Sequence, residues 1–234
     1  MYVLVGAKGN SLGSKVFDKL CCEYPFHYFI AQDKVDFDAT DSVETHYAFE
    51  ALPHEKIEGV VSFVGAMRNA RLEDENVEGL TELFKINAVS LFNIAQALFP
   101  IYKKQGHGRL IHIGSNSAVQ GFSGMLSYCA SKFATHGMIQ VIAKEYAKIG
   151  AVANQINPCA FEMGSSDMSN KQLEGFMETQ GMSQEEVLRM MVSRVPKQRL
   201  ATVEDLYRVV RFLLFDATDF ITGQAINLSG GMMM

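Results

Sequence analysis

Ser115, Tyr128 and Lys132 stand in the run IGSNSAVQGFSGMLSYCASK, thirteen and then four residues apart, a spacing suited to moving a hydride together with its proton. Positions four apart share a helix face, so the Lys132 ammonium lies beside the Tyr128 phenol. A neighbouring cation favours phenolate. An unperturbed tyrosine titrates near ~10, and a close positive charge lowers that value toward working pH, where the hydroxyl exchanges a proton with an alcohol or ketone oxygen. Ser115 is expected at the end of the preceding strand, its hydroxyl aimed at the same oxygen. YxxxK by itself recurs on many solvated helices, so the flanking elements carry the weight. RLIHIGS (109–115) reads as an apolar strand entering a small-residue turn, and residues 127–147 keep a helical apolar period, so strand end and helix face meet.

This segment strongly resembles the short-chain dehydrogenase/reductase family, whose signature is a serine, a YxASK and an asparagine supplied by the preceding long helix. The resemblance implies Tyr128 as general acid in reduction and Lys132 as the group that lowers its pKa and holds a nicotinamide ribose. It implies Ser115 as the group that orients the carbonyl. Asn87, in FKINAVSLF, would support a water in the proton relay, and its distance from Gly65 matches the family without a gap. Ser117 fits the spacing to Tyr128 less well.

At the other end of the site, GAKGNSLG (6–13) follows the first strand and opens the first helix, where glycines let backbone N–H groups approach a pyrophosphate. Gly6, Gly9 and Gly13, with Lys8, Asn10 and Leu12 between them, are spread over one residue more than the family's GxxxGxG. In DFDATD (36–41) the resemblance implies that Asp38 meets the adenine, with Asp41 also suited to capping a helix. SFVGA (62–66) replaces the usual NNAG and keeps Gly65. Pro158 is expected at the cofactor, although Cys159 follows it where the family has glycine and Met163 stands where it has threonine. Lys8 and Lys34 offer the positive charge that a 2′-phosphate needs, against Asp33 between them, which gives a weak tilt to NADP(H) over NAD(H).

The chain has 234 residues, enough for one α/β domain with a sizeable core. Strand-like and helix-like segments alternate throughout, so a Rossmann-like, doubly wound parallel sheet with helices on both faces is expected. Strands are expected near 2–6, 27–31, 34–37, 58–64, 109–114, 151–157 and 224–228, and helices near 12–23, 41–51, 79–104, 127–149 and 202–215. The stretch from about 160 to 195 breaks the alternation. It is polar, helical and rich in methionine, and in the family it covers the substrate.

A formal charge of −5 gives no nucleic-acid surface, and no secretion signal or membrane-spanning run is evident, so a cytoplasmic location is expected. Cys21, Cys22, Cys129 and Cys159 lack disulfide-frame or metal-ligand spacing. The helices at 79–104 and 127–149 carry surplus apolar residues and form a dimer face in the family, so a homodimer or homotetramer is expected, with the SGGMMM tail near a second interface. The tail, VPKQRLA to LSGG, resembles bacterial ketoacyl-type reductases, so the likeness covers nearly the whole chain. The expected activity interconverts a secondary alcohol and a ketone on a small molecule. Two alternatives are a catalytically weak, nucleotide-binding regulator of the same fold and an epimerase or dehydratase of the family's extended branch.

Overall fold

The computed structural model describes residues 1–34, 36–52 and 56–233. Six strands, β1 (Tyr2–Val5), β2 (Phe29–Gln32), β3 (Gly59–Ser62), β4 (Gly108–Ile113), β5 (Ala151–Pro158) and β6 (Ala225–Leu228), form one parallel sheet in the order β2-β1-β3-β4-β5-β6. Their side chains alternate between two buried faces, which is why the strands read as nearly continuous apolar runs. On one face Val3, Val60, Leu110 and Ala153 pack under α4 (Ser90–Gln105) and α5 (Leu126–Ala147) through Leu91, Leu98 and Ile139. On the other, Leu4, Val61, Ile111 and Ile156 meet α1 (Leu12–Glu23) and α8 (Val203–Arg211) through Val16, Leu20, Leu206 and Val210.

The chain runs from β1 outward to β2, then back across β1 to β3. Strand order therefore reverses beyond Val5 and Ser62, the place where open α/β sheets leave a ligand crevice.

The strand expected near 34–37 is absent among the described residues, and Val35 lies outside them. Lys34 and Asp36 instead belong to a turn in which the Asp36 N–H donates to Asp33 O at 2.8 Å and the Asp33 N–H to Asp36 Oδ2 at 2.7 Å. Short aspartate side chains offer the backbone local partners that compete with a sheet ladder. Asp41 then caps α2 (Ser42–Glu50), accepting from the N–H groups of Val43 and Glu44.

The expected helix at 79–104 extends over Val77–Gln105. It joins α3 (Val77–Phe84) to α4 through a π-helical turn at Lys85–Val89. This 29-residue run is the one described segment long and apolar enough to cross a membrane, and half of its most apolar window is buried inside the fold. Leu83, Leu91, Ala95, Leu98 and Tyr102 are core residues, whereas Val89 and Phe92 are exposed. The stretch at 160–195 folds into α6 (Asp167–Gln180) and α7 (Gln184–Ser193), each begun by a serine capping box.

Candidate active site

Ser115 follows β4 directly and caps the short 3₁₀ turn Asn116–Ala118. Its Oγ accepts from the Ser117 N–H at 3.1 Å and donates to Asn116 Oδ1 at 3.1 Å. From α5, Tyr128 and Lys132 project one turn apart, at 7% and 3% exposure. Lys132 Nζ donates to Ile113 O at 3.3 Å and stands 5.9 Å from the centre of the Tyr128 ring. The three residues thus meet where the spacing placed them.

Their titration differs from the expectation. Burial raises the Tyr128 pKa above its ordinary value, and the nearby Ser115 hydroxyl lowers it only in part. Burial also brings Lys132 down from 10.5 to about 8. Removal from water disfavours phenolate and ammonium alike, and here that outweighs the attraction on which a lowered phenol depends.

Asn87 sits on the π-helical turn with no exposed surface. Its Oδ1 accepts from the Ala66 N–H at 2.8 Å, while Nδ2 donates to Ala66 O at 3.0 Å and to Ser131 Oγ at 2.9 Å. Asn87 therefore clamps the SFVGA loop to α5. A Cβ on Gly65 would come within 3.3 Å of both Asn87 Oδ1 and Lys132 Nζ, so glycine lets that loop lie against the lysine.

A cavity of about 380 Å³ extends from these residues across the carboxyl ends of the strands to α1. Gly6, Lys8, Gly9, Asn10, Leu12, Gly13, Gly65, Tyr128, Lys132 and Pro158 all line it. Gly6 has φ +74°, and a Cβ on Gly13 would fall 2.7 Å from Gly6 O. The loop consequently lies close under the helix N-terminus, with Ser11 taking up the Ser14 N–H at 3.0 Å. Such a cradle fits the pyrophosphate of a nicotinamide dinucleotide despite the extra residue.

Two expected cofactor residues stand apart from that lining. Lys34 Nζ lies 3.9 Å from Asp38 Oδ2, and Asp38 Oδ1 accepts from Thr40 N and Oγ1 at 2.9 and 2.8 Å. Lys8 does line the cavity, but its ammonium is held by Asp36 at 2.6 and 2.7 Å. Asp33 lines the same end.

The structure brings to the cavity residues that the sequence placed only within the substrate-covering stretch at 160–195. Ser166, Asp167, Met168, Ser169 and Gln172, at the start of α6, wall the cavity. Asn10 Nδ2 donates to Asp167 Oδ1 at 2.7 Å, the Asp167 N–H donates to Asn10 O at 3.1 Å, and Lys15 Nζ reaches Gly164 O at 2.7 Å. The glycine loop and α6 are thereby tied together. The S-D-x-S pattern that starts α6 marks a helix N-terminus but holds no sign of what lies opposite it.

His112 is a second addition. It is fully buried on the face it shares with its register partners Ser62 and Gln155. Burial, and after it the Lys132 charge, hold its pKa well below the ordinary value, so the ring is neutral. All four cysteines are free. Cys159 is buried beside the cavity with its thiol pKa pushed up by burial, a setting for an inert thiol.

A family model described as enoyl-(acyl carrier protein) reductase matches residues 11–233. The chain belongs to the short-chain dehydrogenase/reductase family. It is accordingly an NAD(P)-dependent oxidoreductase acting on small molecules. Among its relatives, the 3-oxoacyl-[acyl-carrier-protein] reductase FabG of Buchnera aphidicola is 26% identical over 76% of this chain and 67% of its own. The reductase MabA of Mycobacterium avium is 27% identical over 86% of this chain and 74% of its own. Sorbitol-6-phosphate 2-dehydrogenase SrlD from Erwinia amylovora shares the fold, with a TM-score of 0.89, 23% identity and complete coverage of both chains. An NAD⁺-bound xylitol dehydrogenase has a TM-score of 0.85 at 21% identity, over 98% of this chain and 97% of its own. Within this family a nicotinamide cofactor, as NAD(H) or NADP(H), is the expected occupant of the cavity.

Proposed function

We propose that the chain interconverts a ketone and a secondary alcohol, with Tyr128 as the proton donor and acceptor. The observation that carries this reading is the convergence of buried Tyr128 and buried Lys132, with Ser115 next in the chain to the lining residue Gly114, at one end of a cavity whose other end is the glycine cradle. When bound, the nicotinamide supplies or receives the hydride. Tyr128, held neutral by burial, donates from its hydroxyl to the carbonyl oxygen in the reductive direction. Ser115 sits beside the phenol and orients the same oxygen. With a pKa of about 8, Lys132 is mostly charged at neutral pH and favours the phenolate left after proton transfer. Asn87 maintains the path for proton resupply by holding the SFVGA loop against α5.

The tilt toward NADP(H) now rests on Lys8, since Lys34 faces Asp38 outside the cavity. A 2′-phosphate competes with Asp36 for that ammonium, so the preference is small. The segment at 160–195 is assigned as the substrate cover. Val89, Phe92, Phe133 and Val141 leave an exposed apolar face on the long helices, which supports a homodimer or homotetramer. A cytoplasmic location agrees with this soluble-enzyme chemistry.

Tyr128→Phe tests the reading. The variant is expected to fold and to bind cofactor, with turnover of a carbonyl substrate down roughly 10² or more, followed by nicotinamide absorbance. Wild-type turnover in the variant would remove Tyr128 as proton donor.

A further inference from the structure

The cavity that contains Tyr128 shares the walls Cys159 and Gln172 with a small pocket beside Asn116, and that pocket shares Phe122, Phe176, Arg194 and Met232 with an outer chamber of about 450 Å³. Phe122, Phe176, Met190 and Met232 share that chamber's wall with Gln120, Ser123 and Gln180, and its exposed lining is more polar than apolar. Among the described residues no aspartate or glutamate lines the chamber or the small pocket, although the chain as a whole carries a charge of −5. Among those residues the one ionic group in both linings is Arg194, the residue that follows α7 as its C-cap.

Arg194 differs from the other arginines in its partners. Arg68, Arg71, Arg189, Arg199, Arg208 and Arg211 each pair with a carboxylate, and Arg109 donates to the carbonyls of Leu213 and Ala217. Among the described residues, the Arg194 side chain has neither a hydrogen bond nor an ion pair. A guanidinium presents a planar fork of donors that matches the two oxygens of a carboxylate or phosphate. Arg194 is itself exposed, so an anion reaches it from solvent and the contact it offers is a charge-assisted hydrogen bond at the chamber wall.

Resting on the proposed carbonyl chemistry, we propose that the substrate carries an anionic group, a carboxylate or a phosphate, joined to its carbonyl by an apolar stretch. The carbonyl lies at Tyr128, the apolar stretch runs by the small pocket past Phe122 and Phe176, and the anion meets Arg194. Arg194 is then a specificity residue and takes no part in proton transfer. A short neutral ketone fills only the inner end of this path. The methionines of α7 suit a chamber that adapts to chains of different length.

The test uses straight-chain methyl ketones ending in a carboxylate, their methyl esters, and the corresponding phosphate monoesters. Binding to the cofactor-loaded protein is measured by calorimetry, and turnover by nicotinamide absorbance. Acids of one preferred length should bind roughly tenfold or more tighter than their esters, as expected for a charged hydrogen-bonded pair. The advantage should appear in KM rather than kcat. Arg194→Ala should abolish it, and Arg194→Lys should restore part.

The ratio of carboxylate to phosphate binding in wild type identifies which anion is preferred. Equal binding of acid and ester overturns the inference, as does an acid preference that survives Arg194→Ala. A variant that merely unfolds at lower temperature with the preference intact makes Arg194 structural, and that also overturns it. Arg194-dependent acid binding without turnover of any ketone would uphold the chamber and refute the proposed reaction. Equal turnover of acids and esters would do the reverse.

Discussion

Replacing Lys132 by methionine should make the protein more stable while inactivating it. The ammonium is 3% exposed, and burial is the cause of its descent from 10.5 to about 8. At about 1.4 kcal/mol for each tenfold change in the equilibrium, that descent corresponds to ~3 kcal/mol of destabilisation when the lysine is charged in both folded and unfolded states. Methionine fills similar volume without a charge, and it gives up the contact with Ile113 O, worth about 1 kcal/mol. A net gain of ~2 kcal/mol is expected at neutral pH, or roughly 4–8 °C in the unfolding midpoint for a chain of this size.

The pH dependence follows from the direction of the descent. Below about 8, folded and unfolded chains both hold the proton and the full penalty applies. Between about 8 and 10.5 only the unfolded chain holds it, so wild-type stability rises with pH across that window. Above 10.5 the penalty is gone and the difference between the proteins closes. Urea unfolding of wild type and Lys132→Met at pH 7 and pH 10.5 measures both quantities. A wild type more stable than the variant at pH 7, or a gap that does not change with pH, would refute the reasoning.

Gly13→Ala places a methyl 2.7 Å from Gly6 O, so α1 must shift from the turn, and nicotinamide binding measured by calorimetry should weaken by tenfold or more. Asp36→Asn releases Lys8 from its ion pair and should tighten NADPH several-fold more than NADH; an equal change for both would show that Lys8 does not meet the 2′-phosphate. Light scattering at micromolar concentration should find a dimer or tetramer, and replacing Phe92 and Val141 by glutamate should reduce its mass. A fully active monomer would assign the exposed apolar face another use.

Much of the architecture was legible in the chain because alternation of apolar runs and helical periods is a local property. The positions of β1, β3, β4, β5 and the long helices follow from it. The KVDF run at 34–37 misled because alternating apolar and charged residues imitate a strand, whereas Asp33 and Asp36 close a turn on each other. Ser115, Tyr128 and Lys132 were likewise readable, since a strand end followed by a helix brings such a spacing together without help from distant residues.

What only the tertiary structure decided are the contacts across long separations and the solvent each group is denied. Lys8 meets Asp36 across 28 residues and Asn10 meets Asp167 across 157, so neither the restraint on the phosphate lysine nor the tie between the glycine loop and α6 has a local signature. The order of the titrations reversed for the same reason. Four-residue spacing makes Tyr128 and Lys132 neighbours, but how far each charge is removed from water depends on β4, the π-helical turn and the loop at Gly65 closing around them. Spacing along one helix sets which groups meet, and packing from three other segments sets their energies.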